Sequence, residues 1–550
     1  KLYILQQRSG KRTGRAAVKI AYDLVQEGII DKDQALLLVP ATTINQLLHP
    51  QIDPKAEKKL LVRGLPASPG AAVGKICLTA ADAQVASKKG ESVILVRDET
   101  SPDDITGMNV SKAIVTCRGG MTSHAAVVAR GMGCPCVCGA GANGLTVDFE
   151  KKEITCGNQT LKPGDYISVS GDLGEVYIGQ VKTIEPQMSE EFSTFMSWAD
   201  AKRRLKIRGN AETPRDVAQA RKFGCEGLGL VRTEHMFFDP KRILSVRKMI
   251  LSEGDKEKRD ALNELLPYQT SDFEAIFRIM DGCPTNIRFL DPPLHEFLPK
   301  TVPENEELAK ALKISVNAIY QRINALKELN PMLGLRGCRL AIVTPAIAEM
   351  QARAIFNAAV KVQKEGKKVF PELMIPLAFS KKELDILKEI VVKVHDEVEK
   401  ETGEKIAYKY GTMIELPRAA LMAGEMAKTA QFFSFGTNDL TQTTFGISRD
   451  DFTYHDQYKT TGILDSDPFA VLDQEGVGQL IRNAVANGRK TRSDLHVGIC
   501  GEHGGEPKSI QFADAVGLDY VSCSPFRIPI ARLAAAQAVV LNDRKKAEQK

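Results

Sequence analysis

From about residue 205 to the end of the chain, strand-like stretches alternate with helical ones, and this alternation constrains the fold more than any other feature. Nine short runs have the apolar character of strands: 205–209, 227–231, 286–290, 332–335, 373–375, 411–414, 432–435, 497–499 and 520–522. Such alternation favours a parallel α/β sheet, and a (β/α)8 TIM barrel has places for eight strands. We assign the short run 332–335 to an excursion after the third strand and predict a barrel over 205–550.

In such a barrel the functional residues lie where the strands end. The residues that leave the predicted strands include Arg232, Arg288, Glu415, Asn438, Asp439 and Cys500. Two guanidinium groups can hold phosphate and carboxylate groups bidentately, and two carboxylates can hold Mg²⁺. The side chains therefore predict a site for a phosphorylated acid and a metal ion at one rim.

Each rim residue also has an ordinary structural interpretation. The two arginines could form surface ion pairs, Arg232 with Glu234 and Arg288 with Asp291. Glu415 could cap a helix, and Cys500 could simply be packed. The joint position of these residues at one predicted rim favours the functional interpretation.

A second candidate site lies where a glycine turn leads into a helix at His124. Gly119 and Gly120 let the backbone approach an anion, while Thr122 and Ser123 can cap the first turn. The N–H groups and the dipole of the helix favour a phosphoryl group there. The pattern predicts a phosphorylated histidine, and the alternative is a histidine at the start of an ordinary helix.

Length and composition indicate an intracellular or organellar protein of several domains. A chain of 550 residues is too long for one core and predicts two to four domains. Its 43% hydrophobic and 26% charged residues are typical of soluble proteins, and no apolar run is long enough to span a bilayer. The net charge of +5 gives no support for nucleic-acid binding.

The cysteines indicate a reducing compartment. There are eleven, without a regular disulfide framework. Cys134, Cys136 and Cys138 alternate along an apolar run, so metal binding is one interpretation. We favour buried strand thiols, because no nearby His or Cys pair completes a zinc set.

The first part of the chain divides into connectors and one compact domain. Residues 2–5 are strand-like, residues 16–30 and 33–38 have helical periodicity, and prolines punctuate the segment that follows. We predict a leading segment over 1–61, a compact domain over 62–181 and a helical linker over 182–204.

Five segments closely resemble one family. They are CRGGMTSHAAVVARGMG at 117–133, GLVRTEHMFF at 229–238, RFLDPPLHEF at 288–297, FGTNDLTQ at 435–442 and GICGEHGGEP at 498–507. All five resemble motifs of the pyruvate, phosphate dikinase family, which belongs to the phosphoenolpyruvate (PEP)-utilising enzymes. Met121 stands where PEP synthase and enzyme I of the sugar phosphotransferase system usually have Arg, so the resemblance is specific.

The resemblance implies an enzyme that interconverts ATP, phosphate and pyruvate with AMP, pyrophosphate and PEP through a phosphohistidine at His124. It implies a swivelling phosphohistidine domain over 62–181 and a PEP/pyruvate-binding barrel. The strand at 2–5 resembles the end of an ATP-grasp domain, whose missing part would use ATP. We expect this chain to exchange phosphoryl groups between PEP and His124 without using ATP.

The resemblance also implies residue roles. Arg232, Arg288 and Arg336 would bind PEP, Gly436, Thr437, Asn438 and Asp439 would complete the pocket, Glu415 and Asp439 would bind Mg²⁺, and Gln6 and Arg8 would contact nucleotide. Cys500 would be the proton donor, and from its place at the predicted rim we expect its thiol to be solvent-accessible. Thr122 resembles a regulatory phosphorylation site of plant dikinases, although a helix cap is its simpler role.

The expected assembly is a homodimer through the barrel, with no membrane or nucleic-acid partner. The expected compartment is the cytoplasm, with plastid or glycosome as alternatives. PEP synthase and an enzyme I-like phosphocarrier are the competing functions. A noncatalytic barrel would be expected to lack some of the residues His124, Glu415, Asp439 and Cys500, yet all are present.

Overall fold

The computed structural model describes residues 12–100, 104–120, 123–185, 188–239, 241–299, 301–449 and 454–548. The chain divides into two compact units, Lys1–Ala201 and Lys202–Lys550. The first contains a mixed sheet and the second a closed parallel barrel. The predicted α/β class is therefore confirmed.

Two helices of the first unit, Gly14–Gln26 and Lys32–Leu38, confirm the helical periodicity at 16–30 and 33–38. The first begins where the Thr13 side chain accepts a hydrogen bond from a backbone N–H, and the second begins with a capping box. A 3-10 turn follows at Ala41–Leu47. The predicted strand at 2–5, with Gln6 and Arg8, lies outside the described residues.

The main sheet of this unit has eight strands. In spatial order they are Lys59–Arg63, Glu175–Ile178, Tyr166–Ser170, Ala71–Cys77, Val93–Arg97, Ala113–Thr116, Cys136–Cys138 and Leu65–Ser68. The four from Ala71–Cys77 to Cys136–Cys138 are parallel. The strands at 93 and 113 are buried along nearly their whole length, which explains their continuous apolar sequences.

Smaller elements complete the first unit. They are the three-stranded sheet Leu145–Asp148, Glu153–Cys156 and Gln159–Leu161, the paired strands Gln51–Ile52 and Thr183–Ile184, the 3-10 turn Ala140–Asn143, and the helices Ala80–Lys88, Ile105–Val110, His124–Met132 and Glu190–Lys202. Cys134, Cys136 and Cys138 are buried, as predicted for strand thiols. All eleven cysteines are free thiols.

The second unit is a closed barrel of eight parallel strands. They are β1 (Lys206–Asn210), β2 (Leu228–Arg232), β3 (Pro284–Arg288), β4 (Phe370–Ile375), β5 (Lys409–Ile414), β6 (Phe432–Phe435), β7 (His496–Ile499) and β8 (Tyr520–Cys523). Each corresponds to one predicted run. The ninth run contains only the 3-10 turn Pro331–Leu333, within an excursion after β3, as assigned.

Helices surround the barrel. They are Pro214–Lys222, Glu234–Phe237, Ile243–Leu251, Asp255–Ile279, Val302–Leu312, Val316–Ala325, Gly337–Val343, Pro345–Lys364, Lys381–Thr402, Pro417–Leu421, Ala423–Met426, Thr437–Phe445, His455–Thr460, Gly476–Thr491, Pro507–Val516 and Ile528–Glu548, with 3-10 turns at Leu294–Phe297, Glu502–Gly505 and Pro525–Arg527. The excursion helices share a buried apolar cluster with the helices after β2, which anchors the excursion.

The barrel interior is filled by side chains, some of them charged. Arg208 of β1 and Glu372 of β4 form a buried ion pair at 2.6 Å. The Arg208 guanidinium also lies 4.0 Å from the centre of the Tyr520 ring. Within the parts of the chain that the structure describes, every helix is too short or too polar to cross a bilayer.

Candidate active site

His124 is the first residue of the helix His124–Met132. Ser123 caps this helix by accepting a hydrogen bond from the Ala126 N–H at 3.4 Å, whereas Thr122 lies outside the described residues. Ala125, Ala126 and other small residues anchor the helix in the core. The glycine turn is real, because Gly119 has a φ of 101°, a conformation that favours glycine.

The His124 ring is oriented by a buried neighbour. Thr100 Oγ1 lies 3.1 Å from Nδ1 of His124, within hydrogen-bonding distance. The histidine is partly exposed, while Thr100 is buried. The contact engages Nδ1 of the His124 ring.

At the end of β3, two buried arginines share one carboxylate. Asp291 Oδ2 lies 3.0 Å from Nη1 of Arg288 and 2.7 Å from Nη2 of Arg336. Arg288 also donates a hydrogen bond to Glu234. Although burial favours the neutral acid, Arg288 and Arg336 hold the pKa of Asp291 below its usual range.

These contacts change the alternatives that the sequence left open. Arg288 pairs with Asp291, but all the partners are buried, so this is no surface ion pair. Glu234 pairs with Arg288 instead of Arg232. Arg232 ends β2, and among the described residues its guanidinium has no hydrogen bond or ion pair. Its charge nevertheless acts on Asp291 and Cys500.

Glu415 follows β5 and is 1% exposed. Its Oε1 accepts a hydrogen bond from the Leu377 N–H at 2.6 Å, so it does not cap a helix. Its Oε2 has no hydrogen-bond partner among the described residues. Burial, reinforced by Asp439 and Asp291, raises the pKa of Glu415 well above its usual range.

Asp439 lies in the helix after β6, and its Oδ2 is 3.5 Å from Nη2 of Arg336. Burial raises its pKa, and Arg336 opposes the rise. Gly436 leaves room for the neighbouring carboxylate, because a Cβ there would lie 2.4 Å from Oε2 of Glu415. Two clustered acids and an unpartnered buried oxygen form a donor set that fits a hard cation such as Mg²⁺.

Among the described residues, no group of three or more His, Cys, Asp or Glu side chains could hold a metal ion. Any cation held by Glu415 and Asp439 would therefore need further ligands from substrate or water, a common arrangement for Mg²⁺.

Cys500 follows β7, and its position corrects one expectation. The thiol was expected to be solvent-accessible, yet Cys500 is only 2% exposed, because it packs with Leu230, Met374 and Met413 inside the barrel. Its Sγ lies 3.7 Å from the Phe435 carbonyl oxygen. Burial raises the pKa of the thiol to about 11, so it is protonated at neutral pH.

The start of the helix Thr437–Phe445, which follows β6, contacts a buried histidine. Thr437 Oγ1 lies 2.8 Å from Nδ1 of His503, whose Nε2 donates to the Pro468 carbonyl at 2.9 Å. Asn438 Oδ1 accepts a hydrogen bond from the Glu502 N–H at 3.2 Å. The side chain of Thr437 is thus engaged within the protein.

Sequence reasoning did not assign Asp291 and Glu234 to the site. Both lie inside motif segments, within three residues of a predicted arginine, but the sequence interpretation treated them only as surface partners.

Comparison with known proteins gives matches over almost the whole chain. Residues 186–540 match the family profile described as PEP-utilising enzyme, PEP-binding domain, and residues 89–174 match the mobile domain of PEP-utilising enzymes. Pyruvate, phosphate dikinase of Rhizobium meliloti is 55% identical over 550 residues, 100% of this chain and 61% of that protein.

Two further relatives give similar values. Pyruvate, phosphate dikinase of Clostridium symbiosum is 54% identical over 98% of this chain and 62% of its own length. The protein named pyruvate, phosphate dikinase 1, chloroplastic, of Arabidopsis thaliana is 54% identical over 98% of this chain and 56% of its own length. The chain thus spans about three fifths of the length of the curated relatives it matches.

Proposed function

Because the chain belongs to the PEP-utilising enzyme family, we propose that it carries the phosphohistidine and PEP/pyruvate half-reaction of a pyruvate, phosphate dikinase. The whole enzyme would convert ATP, phosphate and pyruvate into AMP, pyrophosphate and PEP, reversibly. The observation that carries the proposal is the cluster at the barrel rim. Two buried arginines lie at the end of β3 and in the excursion after it, two clustered acids lie after β5 and β6, and a protonated thiol lies after β7.

In the direction of pyruvate formation, His124 Nε2 attacks the phosphorus of PEP. The bond between phosphorus and the enol oxygen breaks, and the electron pair stays on the pyruvate enolate. Arg232, Arg288 and Arg336 bind the phosphate and carboxylate groups and stabilise the developing negative charge. Mg²⁺, when held by Glu415 and Asp439, would supply further positive charge at the substrate oxygens.

Cys500 completes the half-reaction by donating its proton to the enolate methylene carbon, which gives pyruvate and a thiolate. In the other direction the thiolate removes a proton from the pyruvate methyl group. A thiol with a pKa of about 11 stays protonated between turnovers, and its thiolate is a strong enough base for the reverse step. Its burial also keeps water from competing with it.

For the whole protein we propose five further features on the basis of the family resemblance. The segment 62–181 acts as the mobile phosphohistidine domain. It is joined through the linker 182–204 to the barrel. Gln6 and Arg8 contact nucleotide in an ATP-grasp domain. The enzyme is a homodimer through the barrel, in the cytoplasm or a plastid or glycosome. Thr122, two residues before His124 in the chain, is a site of regulatory phosphorylation.

The first test is exchange of labelled pyruvate into PEP by this chain with Mg²⁺. His124→Ala should abolish exchange and acid-labile labelling of the protein by PEP labelled in its phosphate, because the acceptor nitrogen is lost. Label that persists in this variant would refute the assignment of His124.

The second test addresses the acids. Glu415→Gln should weaken Mg²⁺ binding and suppress exchange, while Glu425→Gln, an exposed carboxylate in an ion pair with Lys428, should change neither. In the full-length enzyme, phosphorylation of His124 by ATP should survive Glu415→Gln. Equal loss of both half-reactions would make Glu415 structural. Pyrophosphate among the full-length products separates this function from PEP synthase.

A further inference from the structure

Beyond the ends of β2 and β3, the side chain of a glutamine from an outer helix forms hydrogen bonds with both segments that follow these strands. Arg232 and Arg288 are paired at the last position of the shared ladder. Beyond it, Gln351 of the helix that begins at Pro345 accepts a hydrogen bond from the Leu290 N–H, at 2.8 Å from Oε1. The amide of Gln351 therefore holds the chain just after Arg288.

The same amide holds the chain just after Arg232. Nε2 of Gln351 donates a hydrogen bond to Thr233 Oγ1 at 3.0 Å, and Thr233 Oγ1 donates to the Arg288 carbonyl at 3.1 Å. Gln351 is 1% exposed and Thr233 is fully buried. A buried hydrogen-bonding group that loses its partner is costly, so these bonds define one arrangement of the two strand ends.

We infer that Gln351 is a positioning residue that sets the separation of Arg232 and Arg288, an inference that rests on the proposed function. Gln351 acts through Thr233 and Leu290 and has no substrate-binding role of its own. Glu234, which follows Thr233 directly, pairs with Arg288, so a shift of Thr233 would disturb both arginines. A displacement of about 1 Å at a binding group can cost on the order of 100-fold in rate.

The chain offers a matched control in Gln269, on the helix Asp255–Ile279. Gln269 is also 1% exposed, but neither polar atom of its amide has a hydrogen-bond partner among the described residues. Met has about the volume of Gln and no polar amide, so each substitution makes the same chemical change at an equally buried position. Only Gln351→Met removes hydrogen bonds at the rim.

The experiment measures exchange of labelled pyruvate with PEP, thermal unfolding and the dissociation constant of PEP by calorimetry. Gln351→Met should lower kcat/KM for PEP by roughly 10- to 100-fold, mainly through KM, and weaken PEP binding in proportion. Gln269→Met should keep kcat/KM within about threefold of the wild type. The unfolding midpoint of Gln351→Met should lie below that of Gln269→Met, because only Gln351→Met leaves buried groups without hydrogen-bond partners, so exchange and PEP binding are measured at a temperature at which both variants are folded.

Thr233 provides a second arm that does not depend on Gln351. Thr233→Val removes the hydroxyl and should reproduce the rise in KM, whereas Thr233→Ser keeps the hydroxyl and should stay close to wild type. The double variant Gln351→Met with Thr233→Val should be little worse than either single variant, because both break one network.

The inference is overturned if Gln351→Met and Gln269→Met have equal KM and equal affinity for PEP, or if Thr233→Ser is as defective as Thr233→Val. Failure of the proposed function is a different result, namely no exchange by the wild-type chain. In that case the calorimetric affinities for PEP still decide the role of Gln351. The inference is overturned if Gln351→Met leaves the affinity for PEP unchanged, or if no variant binds PEP.

Discussion

Cys500 is the residue whose chemistry depends most on burial. With a pKa of about 11, roughly one thiol in a thousand is ionised at pH 8. Cys500→Ser keeps the size but offers a poorer proton donor, so exchange should fall roughly 10²- to 10⁴-fold while PEP affinity changes little. Cys523→Ser alters an equally buried thiol at the end of β8 and should leave exchange near wild type.

Iodoacetamide should react with Cys500 in the native chain much more slowly than with Cys156 or Cys283, which are partly exposed. Mass spectrometry of the labelled peptides gives the three rates. Fast alkylation of Cys500 would contradict its burial, whereas full exchange by Cys500→Ser would mean that another group protonates the enolate.

At the scale of elements, β1 and β4 are joined across the barrel interior by Arg208 and Glu372, both nearly fully buried. Glu372→Gln leaves the Arg208 charge buried without its partner and should cost about 3–5 kcal/mol of unfolding free energy. Replacing Arg208 and Glu372 together with Met and Leu removes both charges and should cost much less. Unfolding in urea, followed by hydrogen exchange of peptides from the barrel, gives these free energies.

Glu425→Gln is the control for a charge lost in an exposed pair, and it should cost less than about 1 kcal/mol. If Glu372→Gln were no more destabilising than this control, the interior ion pair would contribute little to the barrel. Other strands of the same closed barrel carry the rim residues at their ends, so the interior pair and the site depend on one closed ladder.

At the scale of the whole molecule, each compact unit contains histidines whose burial opposes protonation. Burial lowers the pKa of His49 in the first unit to about 4, and it also lowers the pKa values of His496 and His503 in the second. Above pH 6.5, His49 is neutral in both the folded and the unfolded chain. As the pH falls from 6.5 to 4 only the unfolded chain gains the proton, so stability is lost.

The expected loss from His49 is about 3 kcal/mol, from a pKa lowered from 6.5 to about 4 at 1.36 kcal/mol per unit. Hydrogen exchange of the full chain between pH 7 and pH 4.5, corrected for intrinsic rates, should show this loss of stability in the first unit. His49→Gln should flatten that dependence and leave the dependence of the second unit intact. An unchanged slope in the first unit would show that His49 does not control it.

The sequence could predict the barrel because its signals are local. Each of the eight strands is a short apolar run bounded by helical segments, and the parallel order brings their carboxyl ends to one rim. Residues that follow those runs, such as Arg288 and Glu415, could therefore be expected near one another. Ser123 could likewise be identified as a helix cap, because capping depends on one turn of chain.

Other features depend on contacts between distant segments, which no local pattern encodes. The burial of Cys500 and its raised pKa arise from side chains of β2, β4 and β5 that pack around the thiol. The bridge of Asp291 to Arg336 and the Thr100 contact with His124 also join separate segments. The sequence by itself thus determined which groups stand at the strand ends, since periodicity and turn chemistry are local. Only the tertiary structure decided their protonation, pairing and orientation, because these depend on desolvation and on neighbours far along the chain.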